Sequence, residues 1–277
     1  MVDQFKDNIA IVTGGSEGIG FGIASALARE GALVYLIARK KENLEKAKIK
    51  IEEQGGRAEI RPADITDFPS IRKVIDDIYN QNNRLDIFVN NAGAYTNATT
   101  QSSFEEIEKT LKLDFTAPLQ ITHYLIQKFG EIPSNQLGIL TILSQQALVA
   151  NLENGIGYGT AKKALRGALF EYENQLKHEG NSNITLYRIY PNTVATEKLL
   201  PLIKSGALKN PTSLESVVDT ALDMLANKTP TRDVRVGYFP EKGILRIYLP
   251  SDPDNFYSGH PIQEKVIDKN FDPSSLI

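Results

Sequence analysis

Short apolar runs alternate with longer amphipathic stretches along most of this chain, and that alternation limits what it can become. Ile9 to Thr13, Ala32 to Ala38, Ala58 to Pro62, Leu85 to Asn90, Leu137 to Ser144 and Asn183 to Tyr190 have the length and apolar content of buried strands. Gly18 to Glu30, Lys41 to Gln54, Phe68 to Tyr79, Ser103 to Phe129 and Gly157 to Glu179 carry helical spacing between them. Gly31 and the Gly55-Gly56 pair stop two of these helices. Ser213 to Ala226 predicts a further helix, and Asp233 to Phe239 a last strand. Strands apolar on both sides need cover on both faces, and helices of this length supply it. The pattern predicts an α/β fold: a doubly wound three-layer sandwich on a parallel sheet of seven strands, with right-handed crossovers.

Two segments break the rhythm. Thr193 to Thr212 is interrupted by Pro201, Gly206 and Pro211 and reads as a flap. Pro240 to Ile277 is rich in Pro, Asp, Asn and aromatics and shows no period. Its Ile244, Leu245, Ile247, Tyr248, Leu249, Phe256, Tyr257 and Phe271 are too many apolar groups to leave in water. We expect one domain over residues 1–240, with 241–277 as a tail packed on that domain or on a neighbouring subunit. At 277 residues and 41% hydrophobic, the chain can bury a large core without staples.

Composition excludes several classes of function. The 31 basic and 34 acidic residues give a net charge of -3, which favours neither nucleic acid nor an anionic membrane as partner. Without Cys there is no disulfide, thiolate metal site or Cys nucleophile, which fits a reducing, cytoplasmic location. His123, His178 and His260 share no ligand spacing, so no metal is expected. No apolar run is long enough to span a bilayer, and Met1 to Lys6 shows no signal-peptide core. Asn97-Ala98-Thr99 and Asn227-Lys228-Thr229 match the glycosylation pattern, with no secretion signal to support their use.

Between the first strand and helix stands Thr13-Gly14-Gly15-Ser16-Glu17-Gly18-Ile19-Gly20. Glycines here permit a tight turn and let the backbone approach a pyrophosphate. The following helix offers free N–H groups and the positive end of its dipole. Any α/β protein can carry a glycine-rich turn, but its place at the first βα junction favours phosphate binding.

The spacing G-x-x-x-G-x-G after Thr13 resembles that of the short-chain dehydrogenase/reductase family. Further residues agree in the family's order: Asp64 after the third strand, Asn90-Asn91-Ala92-Gly93 after the fourth, and Ser144 after the fifth. Tyr158-Gly159-Thr160-Ala161-Lys162 is similar to its Y-x-x-x-K, and Pro191-Asn192-Thr193-Val194-Ala195-Thr196 resembles its P-G-x-V-x-T. The resemblance implies a Rossmann-type sheet in the order 3-2-1-4-5-6-7. It also implies a nicotinamide cofactor held at Thr13, Gly14, Ser16, Glu17, Gly18, Ile19 and Gly20. Asp64, Ile65, Asn91, Ala92, Gly93, Pro191, Val194 and Thr196 would complete that site, together with Tyr158 and Lys162. A homodimer or homotetramer is implied through the long helices Ser103–Phe129 and Gly157–Glu179.

Tyr158 and Lys162 lie four residues apart on a predicted helix, so they share a face. An ammonium fixed beside a phenol favours the phenolate, making it a proton donor and acceptor near neutral pH. Alone, the pair would be a half-exposed helix face with a snorkelling Lys. Ser144, fourteen positions earlier at a strand end, tips the reading toward chemistry. The resemblance assigns Ser144, Tyr158 and Lys162 to proton transfer in the interconversion of a carbonyl and an alcohol. Two positions depart from the family. Asp114 stands where Asn is usual, so its role in the proton relay rests on its backbone carbonyl or on its charge. Asn192 stands where Gly is usual, a mild change because Asn tolerates left-handed backbone.

The second strand ends at Ala38-Arg39, without the Asp that would accept from a ribose 2′-hydroxyl. Arg39 can pair with a 2′-phosphate, which favours NADP(H) over NAD(H), although Glu17 argues the other way. The substrate is expected among Ser144, Gln146 and Tyr158, with Ala94, Tyr95, Gln145, Ala147, Leu152, Glu153, Asn192 and the flap nearby. Leu199, Leu200, Leu202 and Ile203 make that flap apolar. The segment Ala38 to Leu44 is somewhat similar to long-chain keto-reductases, which suggests that class of substrate. The rival reading is a nucleotide-binding sensor or scaffold without turnover.

Overall fold

The computed structural model describes residues 3–96, 98–132, 135–149, 155–208, 211–229, 231–239, 242–249 and 263–269. Six βα units build the first seven strands: β1 (Ile9–Thr13), α1 (Gly18–Arg29), β2 (Leu33–Ala38), α2 (Lys41–Glu53), β3 (Arg57–Pro62) and α3 (Phe68–Asn82). After β4 (Ile87–Asn90) come α4 (Phe104–Leu111) and α5 (Ala117–Phe129), then β5 (Leu137–Ile142) and α6 (Tyr158–His178). β6 (Ile184–Pro191) leads through the short α7 (Leu200–Lys204) to α8 (Leu214–Leu225) and β7 (Asp233–Phe239).

These seven strands are parallel in the order β3-β2-β1-β4-β5-β6-β7. β1 and β4 are buried along their whole length, as apolar runs between two helical layers must be. On one face Ile23 and Leu27 of α1, Leu44 and Ile51 of α2, and Val217 and Met224 of α8 pack on Val12, Leu36 and Val234. On the other, Ile75 of α3, Leu125 of α5 and Leu165 of α6 pack on Ile11, Phe88 and Ile139. The order reverses at β1 and β4, which opens a crevice beyond their carboxyl ends.

The sheet has nine strands rather than the seven expected. β8 (Gly243–Tyr248) runs antiparallel on β7, and β9 (Gln263–Asp268) antiparallel on β8. The aperiodic tail concealed β8 because Arg246 interrupts its apolar run. Arg246 is nonetheless buried: its Nε donates to Thr220 Oγ1 at 2.8 Å, and it is ion-paired with Asp223. β9 exposes nearly all its side chains, so it is a strand by backbone pairing alone. Phe256, Tyr257 and Phe271, and likewise Asn97, lie outside the described residues.

A buried charge cluster fastens β7 to β6. Arg188 donates through Nε and Nη2 to the two carboxylate oxygens of Asp233, each at 2.6 Å, and also pairs with Glu173 of α6. Tyr190 donates to the same Asp233 at 2.7 Å. Arg188, Tyr190 and Asp233 are fully enclosed. The carboxylates raise the Arg188 pKa despite burial, while burial pushes the Tyr190 phenol well up.

Residues 104–129 form the long helix expected, but its repeat is not α throughout. Ser103 caps α4 with a reciprocal Ser103–Glu106 box, but Lys112–Thr116 widens into a π-helical turn before α5. Ala117 N–H reaches back to the Lys112 carbonyl there, the wider repeat often found at functional sites. Asp114 is the buried residue of this turn.

Candidate active site

The loop from β1 to α1 turns through Gly14 and Gly18, both with positive φ. At Gly20 a Cβ would stand 2.3 Å from both Asn91 Nδ2 and the Gly14 carbonyl, so only glycine fits. Asn91 ties the loop to β4: its Nδ2 donates to the Thr13 carbonyl at 3.0 Å, and its N–H donates to Thr13 Oγ1 at 3.0 Å. Ala92 N–H donates to the same hydroxyl at 3.1 Å. Helix α1 begins with no side-chain cap and no acidic residue in its first turn. Its first N–H groups thus remain available to a phosphate, with Ser16 and Ile19 flanking them. Glu17, just outside the helix, is exposed.

The other expected cofactor residues rim the same crevice. Thr196 Cγ2 approaches to 3.5 Å of where a Gly18 Cβ would stand. Asp64 accepts from Thr66 N–H at 2.9 Å and Thr66 Oγ1 at 2.8 Å. Burial works to raise the Asp64 carboxyl, but those bonds and the nearby Arg39 charge hold it below its usual value. Arg39 is exposed at the end of β2, and Ile65 is buried beside Asp64. Pro191 ends β6, and Val194 bridges to Thr212, pinning the base of the flap. Ala195 N–H donates to the Thr212 carbonyl at 2.9 Å and Thr212 N–H to the Thr193 carbonyl at 2.7 Å.

Helix α6 starts at Tyr158, which places Tyr158 and Lys162 one turn apart. The Lys162 ammonium lies 5.3 Å from the centre of the Tyr158 ring and donates to the Ile142 carbonyl at 3.2 Å. Asp114 Oδ1 is 3.3 Å from Lys162 Nζ, and its Oδ2 accepts from Ala94 N–H at 3.3 Å. Gly93 makes room for that carboxylate, since a Cβ there would stand 2.4 Å from Oδ1. Burial pushes the Asp114 carboxyl up against the pull of Lys162. Burial also pulls the Lys162 ammonium down, but the negative charges of Tyr158 and Asp114 outweigh it and leave it raised. Asp114 therefore enters the cluster through its side chain, the possibility that spacing alone left open.

Ser144 is extended and caps a single 3-10 turn (Gln145–Ala147), its Oγ accepting from Gln146 N–H at 3.2 Å. Gln146 Oε1 is buried without a hydrogen bond and faces the start of α6, 3.2 Å from a Cβ placed on Gly159. Tyr95 meets Tyr158 edge-on, with ring centres 5.3 Å apart. Leu152 and Glu153 lie outside the described residues. Sequence reasoning missed Arg235, which donates to Gln145 Oε1 and to Asn192 Oδ1, each at 3.3 Å. A single Arg in a short strand carries no motif, and only its alternation with Asp233 hinted at a shared face.

The profile of the short chain dehydrogenase family matches residues 8–203. A fatty acyl-CoA reductase of Acinetobacter baylyi is 31% identical over 208 residues, covering 72% of this chain. The match spans 66% of that relative's own length, just under two thirds. The structure of a short-chain type dehydrogenase/reductase from Mycobacterium ulcerans superposes with a TM-score of 0.75 at 23% identity, over 83% of this chain and 88% of the other. A Burkholderia cenocepacia short chain dehydrogenase in complex with NADP gives 0.71 at 24% identity, over 83% and 96%. Among the described residues, no helix is long and apolar enough to cross a membrane.

Proposed function

The chain belongs to the short-chain dehydrogenase/reductase family, and from that premise we propose that it is an oxidoreductase interconverting a carbonyl and an alcohol with NADP(H). The observation that carries the reading is a buried Lys162 held against the Tyr158 ring at the mouth of the crevice. A bound nicotinamide would supply or accept the hydride. Tyr158 Oη donates the proton to the nascent alkoxide during reduction and takes it back during oxidation. Lys162 stabilises the phenolate between those steps and holds the cofactor's ribose. The Ser144 hydroxyl orients the reacting oxygen, and Gln146 offers its buried amide beside it.

The glycine loop from Thr13 to Gly20, with Asn91, Ala92 and Gly93, fits a pyrophosphate and its adjoining ribose. Asp64 and Ile65 suit the adenine, and Pro191, Val194 and Thr196 the nicotinamide end. In this reading residues 1–240 carry the cofactor-binding and catalytic unit, and β8 and β9 of the following segment extend its sheet. The fatty acyl-CoA reductase relative supports an aliphatic substrate, including a long-chain ketone. Tyr95, exposed and edge-on to Tyr158, supports the same class. Steady-state assays of aliphatic ketones and alcohols with both cofactors test the proposal. Absence of turnover across the panel would favour a nucleotide-binding sensor.

Arg39→Ala is expected to weaken NADPH more than NADH, because only NADPH carries a 2′-phosphate. A charge-assisted contact contributes about 1.5–3 kcal/mol, or roughly tenfold or more in affinity. Calorimetry or nicotinamide fluorescence measures it, and equal losses for both cofactors would remove Arg39 as the selector.

Asp114→Asn is expected to move the Tyr158-dependent limb of the kcat/KM profile, acid for oxidation and alkaline for reduction, to lower pH. Two effects share that sign. The substitution removes a negative charge that opposes the phenolate, and it leaves the Lys162 charge uncompensated beside Tyr158. An unchanged profile would reduce Asp114 to its backbone, and an upward shift would contradict the electrostatic account.

A further inference from the structure

Arg235 lies on β7, in register with Tyr190 of β6 and Ile247 of β8, on the sheet face that carries α6. Its guanidinium stacks 5.1 Å from the Phe239 ring. Its hydrogen bonds are two long contacts to neutral amides, Gln145 Oε1 and Asn192 Oδ1. Among the described residues Nη1 makes none, and no carboxylate lies within ion-pair distance. Burial lowers the Arg235 pKa, with no anion to offset it. Two deeply buried arginines are provided for differently: Arg188 has Asp233 and Glu173, and Arg246 has Asp223. A half-buried cation without a counter-ion costs free energy that a bound anion would return.

The surroundings are shaped around this group. A Cβ on Gly237 would stand 2.4 Å from Asn192 Cγ, so the missing side chain at 237 lets Asn192 lie flat and turn Oδ1 toward Arg235. Asn192 is the departure from the family's Gly, and the structure gives it this use. Gln145, the other partner, follows Ser144 directly, so the guanidinium stands beside the segment that presents the reacting-oxygen ligand.

We infer that Arg235, steadied by Gln145, Asn192 and Phe239, is an anion subsite that selects substrates bearing a carboxylate or phosphate group away from the reacting carbonyl. The subsite deepens the oxidoreductase reading and rests on it. The exposed Tyr95 ring beside Tyr158, with a cation that has no counter-ion among the described residues, suits an aliphatic chain that carries an acidic end.

The test uses straight-chain oxo acids of increasing ketone-to-carboxylate spacing, their methyl esters, and the matching oxoalkyl phosphates. Wild type should prefer one spacing of the acid or the phosphate over its ester by about tenfold or more in kcat/KM. The better of the two anions identifies the group recognised. Arg235→Gln should erase that preference through KM while leaving esters unchanged, and Arg235→Lys should keep part of it. No acid-to-ester or phosphate-to-ester preference in wild type would overturn the inference whatever the variants do, and so would equal losses for acid and ester in Arg235→Gln. Calorimetry with the NADPH-loaded protein separates the two claims. Acids that bind wild type more tightly than Arg235→Gln, without turnover, would support the subsite and sink the oxidoreductase reading. Turnover without discrimination would do the reverse.

Discussion

Tyr158→Phe is expected to lower turnover by roughly 10²–10⁴-fold, the usual contribution of a positioned proton donor. NADPH affinity should be nearly unchanged, because the ring remains on the first turn of α6 and only the hydroxyl is lost. The ring still covers Lys162 and still meets Tyr95 edge-on, so the fold has no reason to respond. Single-turnover measurements with cofactor bound would place the loss in the chemical step. A variant with wild-type turnover would remove Tyr158 from the mechanism. A variant that lost cofactor binding in parallel would make the hydroxyl a cofactor ligand rather than only a proton donor.

The largest stability effect is expected from Asp233→Ala. Its carboxylate takes two bonds from Arg188 and one from Tyr190 in a fully enclosed site. Removing it leaves the Arg188 guanidinium with Glu173 as its remaining carboxylate. Breaking a buried pair from one side costs about 3–5 kcal/mol. For a chain of this size that is roughly a 5–9 °C fall in Tm, by scaling of unfolding entropy with length. Denaturant unfolding followed by circular dichroism measures it. A loss below about 1 kcal/mol would mean that water enters and solvates Arg188. The cluster also explains how β7 is held, since Arg188 and Asp233 sit directly opposite in the β6–β7 register.

The first six strands and their helices were legible because each strand except the edge strand β3 is buried on two faces and each helix on one. Apolar content then reports burial directly. The same logic fails at β8, where Arg246 is buried on partners from α8 that are distant in sequence. It fails at β9 for the opposite reason, because the side chains of β9 report solvent while its backbone reports pairing. The π turn at Lys112–Thr116 was invisible, since one extra residue per turn leaves no trace in composition. The consequence was local but chemical, for it delivers Asp114 to Lys162 as a charge. Of the candidate site, the glycine loop, Asn91, Ser144, Tyr158 and Lys162 could be read from fixed spacings. Arg235 could not, because its meaning depends on having no acidic neighbour among the described residues, which only three dimensions reveal.

The two outer strands have a bearing on how the protein behaves at high concentration. A free sheet edge is an open polymerisation front, able to take another strand about 4.8 Å away. One front here is β3, Arg57–Pro62, which sets Arg57, Glu59 and Arg61 along the edge and ends in a proline that lacks the N–H a newcomer needs. The other, among the described residues, is β9, where Glu264, Lys265 and Asp268 face water. An incoming strand would have to strip solvent from alternating charges at either end. Adding the hairpin beyond β7 thus moved the growing end of the sheet from a strand bearing Val234 and Val236 to one that discourages further growth.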